Sequence, residues 1–192
     1  ADNGFRYVNG TPADCVKFGI SQIIKKKPDL ILSGVNHGNN SATNVLYSGT
    51  MSAALEGAME GIPSIGFSLC NFAPDADFTA AQHYIDQILT QFFEKGLPSN
   101  VCLNINIPDL AQDQIKGMKI VKQAHAYWAD RFENRLDQYG RTYYWLTGEF
   151  ADLDQRPDTD LHALKEGYVS VVPTHFDLTA YDQIQTLKTW EQ

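Results

Sequence analysis

The sequence predicts an α/β fold built on parallel strands, and three neighbouring segments carry this prediction. An apolar strand at residues 30–32 leads into a loop rich in Gly, Asn and Ser. A helix of small residues follows and ends at Gly57 or Gly61, and a second apolar strand covers residues 64–69. Such a unit forms a right-handed crossover between parallel strands. Because ligands bind at the carboxyl ends of parallel strands, we expect the functional site in the loop at residues 33–47.

The other elements follow from apolar periodicity. Continuous or alternating apolar residues predict strands, and apolar residues three or four positions apart predict helices. We predict strands at residues 5–8, 101–107 and 168–172, and helices at residues 12–24, 79–95, 160–167 and 179–190. Asp14 is expected to cap the first helix rather than to act in catalysis. Asn104 and Asn106 either line the site or bond to the backbone of a loop, and we favour the loop.

The composition is that of one globular domain without a basic surface. The chain has 192 residues, 43% of them hydrophobic, and a formal net charge of -8. Binding to nucleic acid or to an anionic membrane needs clustered Lys and Arg, whereas the basic run at residues 25–27 is expected to stabilise a helix C-terminus. The three cysteines lie far apart, which predicts neither a disulfide framework nor a zinc site. With no apolar run of ~18 residues and no signal-like N-terminus, we expect a cytoplasmic protein.

Residues 119–150 predict a long hairpin arm that protrudes from the single domain, residues 1–192. Two aromatic-rich segments flank a polar stretch around Gly140. Exposed aromatic side chains in such an arm favour association. We therefore expect five of them to pack on another subunit or on the domain itself: Tyr127, Trp128, Tyr143, Tyr144 and Trp145.

The loop at residues 33–47 carries groups that suit a metal ion and an anion. Gly34 and Gly38 allow tight turns and a close approach to a ligand, and Asn36 offers a neutral carbonyl oxygen that hard divalent cations accept. Residues 48–50 begin a helix, whose free N–H groups attract phosphate. Spacing alone leaves ordinary turn chemistry and a phosphate site equally open. A dinucleotide-binding domain is disfavoured, because the loop lacks the G-x-G-x-x-G spacing.

Six segments together resemble the SurE family of metal-dependent nucleotidases. They are GTPADCV from residue 10, SGVNHGNN from residue 33, LYSGTMSAALEG from residue 46, IPSIGFSL from residue 62, LNINIP from residue 103 and GYVSVVP from residue 167. They occur in the family's order and span essentially the whole chain. The resemblance implies a Rossmann-like α/β core, with helices on both faces of a mostly parallel sheet and an extended hairpin and C-terminal arm for oligomerisation. It also implies hydrolysis of nucleoside 5′- and 3′-monophosphates, with short polyphosphate as a further candidate substrate.

The resemblance also implies roles for individual residues. Asn36 matches the family's metal-binding Asn, and the implied cofactor is a divalent cation, Mg or Mn. Ser48, Gly49 and Thr50 match the family's Y-S-G-T segment, which lies against the substrate phosphate, and we assign Asn40 to the same phosphate site. The arm implies a homodimer or tetramer, formed through the hairpin and the C-terminal segment.

Two departures from the family pattern bear on catalysis. His37 stands where small residues are frequent, and it either assists proton transfer or is a solvated loop histidine, which we favour. The family's Asp-Asp pair, which supplies the principal metal ligands, has no counterpart in this sequence, so the catalytic residues stay unassigned. We expect the chain to be the C-terminal part of a nucleotidase, without its N-terminal strand, loop and helix and impaired on its own. The alternative is a non-catalytic nucleotide- or phosphate-binding protein.

Overall fold

The computed structural model describes residues 4–98 and 100–191, which form a five-stranded sheet, a separate two-stranded hairpin and five α-helices. The strands are β1 (Ile31–His37), β2 (Ser64–Leu69), β3 (Cys102–Ile107), β4 (Met118–Ile120), β5 (Ala126–Leu136), β6 (Thr142–Asp152) and β7 (Val169–Thr174). The helices are α1 (Pro12–Phe18), α2 (Gly49–Met59), α3 (Thr79–Lys95), α4 (Asp160–Lys165) and α5 (Ile184–Leu187). None of the helices in these two ranges has the length and hydropathy of a membrane span.

The main sheet has the strand order β1-β2-β3-β7-β4. β1 pairs with β2, β2 with β3 and β4 with β7 in parallel, whereas β3 and β7 are antiparallel. The predicted α/β fold with a mostly parallel sheet is therefore confirmed. The crossover from β1 through α2 to β2 places the carboxyl end of β1 beside the N-terminus of α2, which is where the site is expected.

Helices cover both faces of this sheet, as predicted. The cluster against α3 consists of Ile65, Phe67, Leu69, Ile105, Ile107, Val169 and Val171 from the sheet, Ala80, Ala81, Tyr84 and Ile88 from α3, and Ile115. On the opposite face, α2 contributes Met51, Ala54 and Ala58 to a second cluster. Gly66 of β2 permits this close approach, because a Cβ there would lie 2.5 Å from Met51 Sδ.

The first helix begins as the sequence predicts. Thr11 N donates to Asp14 Oδ2 at 2.8 Å, and Asp14 N donates to Thr11 Oγ1 at 3.2 Å. This is a capping box, so the predicted capping role of Asp14 is confirmed. The helix is shorter than predicted, since α1 ends at Phe18 and a π-helical turn follows at Gly19–Ile23.

Two predicted elements are wrong. Residues 5–8 form no strand: their alternating side chains Phe5 and Tyr7 are 80% and 91% exposed, so the alternation does not mark the buried face of a strand. The single helix predicted at residues 179–190 is instead the four-residue α5 between two 3₁₀ turns. This segment buries no residue, so no packed face stabilises a longer helix.

The hairpin of β5 and β6 lies outside the main sheet, with Ala126 paired to Asp152 at its base. The arm predicted from residue 119 therefore starts too early, because Lys119 and Ile120 pair with β7 in the main sheet. The five aromatic side chains of the prediction are 39% to 67% exposed. Each of these side chains keeps a substantial exposed surface, and their packing on another subunit or on the domain itself stays a prediction.

Candidate functional site

An irregularity in β1 turns Asn36 toward the face of the sheet that α2 covers. Ser33 pairs with Gly66 and Asn36 with Ser68, so β1 carries one residue more than β2 over this stretch. Without that extra residue, strand alternation would put Val35 opposite Ser68. Val35 instead packs against the apolar cluster beneath α3. The predicted loop therefore begins later than residue 33, and Asn36 lies near the end of a strand.

The N-terminus of α2 offers free backbone donors beside Asn36. Ser48 caps the helix by accepting a hydrogen bond from Met51 N at 3.0 Å. The amides of Gly49 and Thr50 have no acceptor within the described residues. Thr50 Oγ1 lies 2.9 Å from Asn36 Oδ1, which places these donors against the end of β1. The structure thus brings the predicted residues Asn36, Ser48, Gly49 and Thr50 together.

The carbonyl oxygen of Asn36 is the centre of a neutral hydrogen-bond network. Asn36 Oδ1 accepts from Thr50 Oγ1 at 2.9 Å, Ser68 Oγ at 2.8 Å and Asn40 Nδ2 at 3.1 Å. Asn36 Nδ2 donates to the carbonyl oxygens of His37 and Gly38 at 2.9 and 2.8 Å. These bonds fix the orientation of the amide, so its oxygen faces Thr50 and Ser68. The hydrogen of each hydroxyl can turn about its C–O bond, so each hydroxyl can also accept from another donor.

The backbone of Asn40 is hydrogen-bonded to the two asparagines of β3. Asn40 N donates to Asn106 Oδ1 at 2.7 Å, and Asn104 Nδ2 donates to Asn40 O at 2.8 Å. The prediction that Asn104 and Asn106 serve the backbone of a loop is therefore confirmed. The side chain of Asn40 is left to bridge Asn36 Oδ1 and Ser68 Oγ, the latter at 2.7 Å.

Ser68 and Asp160 have no predicted role in the site. Ser68 carries a readable signal, because it is a polar residue inside the fully buried strand SIGFSL. The pairs Asn36–Ser68, Ser68–Asn106 and Asn106–Ser170 form one polar row across four strands of the sheet. A polar row on an otherwise apolar sheet predicts a loop or ligand above it.

Two further residues near the site are His37 and Cys70. The exposed ring of His37 stands edge-on to Phe78, with 5.1 Å between ring centroids. Burial, with smaller contributions from the charges of Asp109 and Asp160, raises the pKa of the Cys70 thiol to about 12. Cys70 therefore stays protonated at neutral pH and is a poor nucleophile.

The residues around Asn36 fit one ligand position of a divalent cation and not a whole coordination shell. Their oxygens belong to amides and hydroxyls, whereas Mg²⁺ and Mn²⁺ are held mainly by carboxylates. Among residues 4–98 and 100–191, no group of three or more His, Cys, Asp or Glu side chains is placed to bind a metal ion. The chemistry that these side chains themselves supply is hydrogen-bond donation to an anion.

Comparison with known proteins identifies the family. The model of the family described as "Survival protein SurE" matches residues 1–130. The chain belongs to the SurE family. The SurE protein of Aquifex aeolicus has a similar crystal structure, with a TM-score of 0.82 and 39% identity over 96% of this chain and 74% of that one.

Curated relatives within the SurE family extend the match beyond the family model. The 5′-nucleotidase SurE of Flavobacterium psychrophilum is 52% identical over 183 residues, or 95% of this chain and 71% of that protein. The 5′-nucleotidase SurE of Christiangramia forsetii is 53% identical over 182 residues, or 95% and 70% of the two chains. The resemblance inferred from the six sequence segments is therefore confirmed, and the SurE assignment covers the whole site described above.

Proposed function

We propose that this chain is a nucleotidase that hydrolyses nucleoside 5′- and 3′-monophosphates to nucleoside and phosphate. The names of two relatives support the 5′ activity, because the proteins of Flavobacterium psychrophilum and Christiangramia forsetii are called 5′-nucleotidases. The 3′ activity, and the use of short polyphosphate, are extensions that rest on the sequence resemblance alone. A phosphate monoester is also the ligand class that best suits the donors at the start of α2.

The observation that carries this proposal is the pair of free amides at Gly49 and Thr50. They point out of the N-terminus of an eleven-residue helix, where the helix dipole adds positive potential. The Ser48 hydroxyl stands beside them and can donate while it accepts from Met51 N, and the Thr50 hydroxyl and Asn40 amide lie next to it, donating to Asn36 Oδ1. In this arrangement the phosphate of a nucleotide is held by fixed dipoles, which also stabilise the charge that develops on it during hydrolysis.

We further propose that the reaction uses a divalent cation, Mg or Mn, with Asn36 as one ligand. Asn36 Oδ1 lies beside the free amides, 2.9 Å from Thr50 Oγ1, and the hydrogens of the Thr50 and Ser68 hydroxyls can turn away from it. A cation there would neutralise phosphate charge. Its other ligands, and the group that activates water, are not assigned to residues of this chain.

The protein is proposed to work as a homodimer or tetramer in the cytoplasm. The exposed aromatic side chains of the β5–β6 hairpin support association through this arm, and the exposed C-terminal segment is assigned to the same interface. The net charge of -8 supports a small-molecule substrate rather than a nucleic acid polymer or an anionic membrane. The three cysteines are free thiols, which suits a reducing compartment.

The proposal is tested by Thr50→Val, which removes one hydroxyl from the site at nearly constant volume. Loss of one such hydrogen bond costs about 1 kcal/mol, or roughly a fivefold rise in KM for 5′-AMP. Phosphate release is measured with Mg²⁺, with Mn²⁺ and with chelator. Thr90→Val is the matched control, because the Thr90 hydroxyl bonds to Asp86 O on the far side of the sheet, at 2.8 Å.

The same experiment separates catalysis from simple binding. Calorimetric binding of 5′-AMP without phosphate release under any metal condition would favour the alternative, a non-catalytic nucleotide- or phosphate-binding protein. Equal KM and binding constants for Thr50→Val and Thr90→Val would contradict the placement of phosphate at the start of α2.

A further inference from the structure

Asp160 places a buried carboxylate behind the site loop. Its side chain is fully buried at the first residue of α4. Asp160 Oδ2 accepts from Ala42 N at 2.8 Å, and Asp160 Oδ1 accepts from Ala124 N at 3.0 Å and Leu161 N at 2.8 Å. Burial raises the pKa of this carboxyl, and the backbone donors oppose the shift. One carboxylate thus joins three segments that are far apart in the chain.

The bond to Ala42 holds an unusual backbone conformation next to the site. Ala42 has a φ of +52°, in the left-handed region that side chains other than those of Gly, Asn and Asp rarely adopt. It follows Asn40 by two residues, and Asn104 and Asn106 hold the backbone of Asn40 from the other side. The segment that carries the Asn40 side chain is therefore fixed at both ends.

The bond to Ala124 ties this segment to the base of the hairpin. Ala124 precedes β5, and Thr43 Oγ1 donates to the backbone oxygen of Ala126 at the first residue of that strand. Ala42, Ala124 and Ala126 also form a small buried cluster. The site loop and the base of the arm thus share one carboxylate and one apolar contact.

We infer that Asp160 is a positioning residue, which fixes the site loop against the base of the arm so that Asn40 and Asn36 face the phosphate. This role rests on the proposed function, since it takes the Asn36–Asn40 network to be part of the phosphate site. Helix capping does not explain these bonds, because Thr159 caps α4 by accepting from His162 N, and Ala42 lies 118 positions away from Asp160 in the chain.

Asp160→Asn tests the inference by removing one acceptor while keeping the shape of the side chain. An asparagine has a single acceptor oxygen, so either the amide of Ala42 or that of Ala124 faces an NH₂ group. Amide hydrogen exchange of the chain without ligand should become at least tenfold faster at residues 40–43 or at residue 124, and unchanged in β3. The dissociation constant for 5′-AMP should rise about tenfold, with inorganic phosphate as a second probe.

Asp158→Asn is the matched control, two residues away. Asp158 is half exposed, and its carboxylate pairs with Lys122 at 2.6 Å instead of accepting from an amide of residues 40–43, so its substitution should change neither exchange at residues 40–43 nor 5′-AMP binding. Faster exchange throughout the sheet in Asp160→Asn would show a general structural role and overturn the inference. Faster exchange confined to residues 40–43 or residue 124, with unchanged 5′-AMP binding, would overturn it as well.

A second variant decides the matter if Asp160→Asn does not fold. Glycine adopts the conformation of Ala42 without strain, so Ala42→Gly in the Asp160→Asn background should fold and still exchange fast at residues 40–43. If residues 40–43 of the double variant were as well protected from amide exchange as those of Ala42→Gly alone, the inference would be overturned. If the unaltered chain binds no 5′-AMP, the proposed function fails separately, and the ligand-free exchange data then decide whether Asp160 fixes the loop.

Discussion

Gly34 permits the extra residue in β1 that turns Asn36 toward α2. No residue with a Cβ fits at this position. Its φ is +106°, and a Cβ at this position would lie 2.3 Å from the carbonyl oxygen of Phe67 in the neighbouring strand. Backbone cannot move away as a flexible side chain can, so the strain and the clash add to each other.

Gly34→Ala should therefore lower the free energy of unfolding by about 2–4 kcal/mol, measured by urea denaturation. Gly19→Ala is the matched control, because a Cβ there meets nothing within 4 Å. Its backbone is right-handed helical, so alanine at residue 19 should be neutral or stabilising by up to about 1 kcal/mol. Equal effects of the two substitutions would mean that the irregularity in β1 does not depend on glycine.

Asparagines dominate the site because each has to donate and accept at once. Asn106 accepts from Asn40 N and donates to Asn104 Oδ1, and Asn36 donates and accepts in the same way. A carboxylate could only accept, and it would also place a charge in a buried network. The residue types in this network could be read from the sequence, whereas the partner of each atom required the strand register.

At the scale of elements, periodicity predicted the buried parts of the fold best. β2 and α3 have the predicted bounds because each packs a continuous apolar surface. β1 ends at His37, five residues beyond the predicted end at residue 32. Its last residues have a composition typical of a loop, but they pair with β2. The network of Asn36, Asn40 and Ser68 could not be predicted, because it depends on the one-residue irregularity between two strands.

The C-terminal segment is held by local polar contacts instead of a packed face. Asp177 accepts from Thr179 N at 2.9 Å and from the hydroxyl of Tyr181. Hydrogen bonds from Thr179 and Tyr181 lower the pKa of Asp177 to about 2, from a usual 3.8. Since the folded pKa lies below the unfolded one, ionised Asp177 stabilises this turn above about pH 3.8 and loses that effect as the pH falls toward 2.

Tyr181→Phe should raise the pKa of Asp177 part of the way back to 3.8, because one of its donors is removed. The side-chain carboxyl carbon, followed by NMR through an acid titration, gives this pKa directly. Tyr139→Phe, in the exposed turn of the hairpin, is the control and should leave it unchanged. An unchanged pKa in Tyr181→Phe would show that Tyr181 does not hold the turn in solution.

At the scale of the whole molecule, the hairpin exposes many large apolar side chains beside the main sheet. Strand pairing puts six apolar side chains on one face of it: Trp128, Phe132, Leu136, Tyr144, Leu146 and Phe150. The other face carries charged residues, among them Arg135, which stands over the ring of Trp145 at 5.1 Å and pairs with Glu133. An apolar face of this size on a two-stranded ribbon favours burial against another chain.

Tyr144 and Tyr143 are neighbours on opposite faces of this hairpin, which makes them a matched pair. Tyr144 lies on the apolar face and is 67% exposed, whereas Tyr143 lies on the charged face opposite Arg135 and is 39% exposed. If the apolar face is the interface of a homodimer or tetramer, Tyr144→Ser should raise the dissociation constant of the assembly by at least tenfold, or ~1.4 kcal/mol, because an interface aromatic is lost. Tyr143→Ser should change it far less. Light scattering over a dilution series gives both constants, relative to the 21.5 kDa mass of one chain. A monomer at all concentrations, or equal losses in the two variants, would contradict assembly through this face.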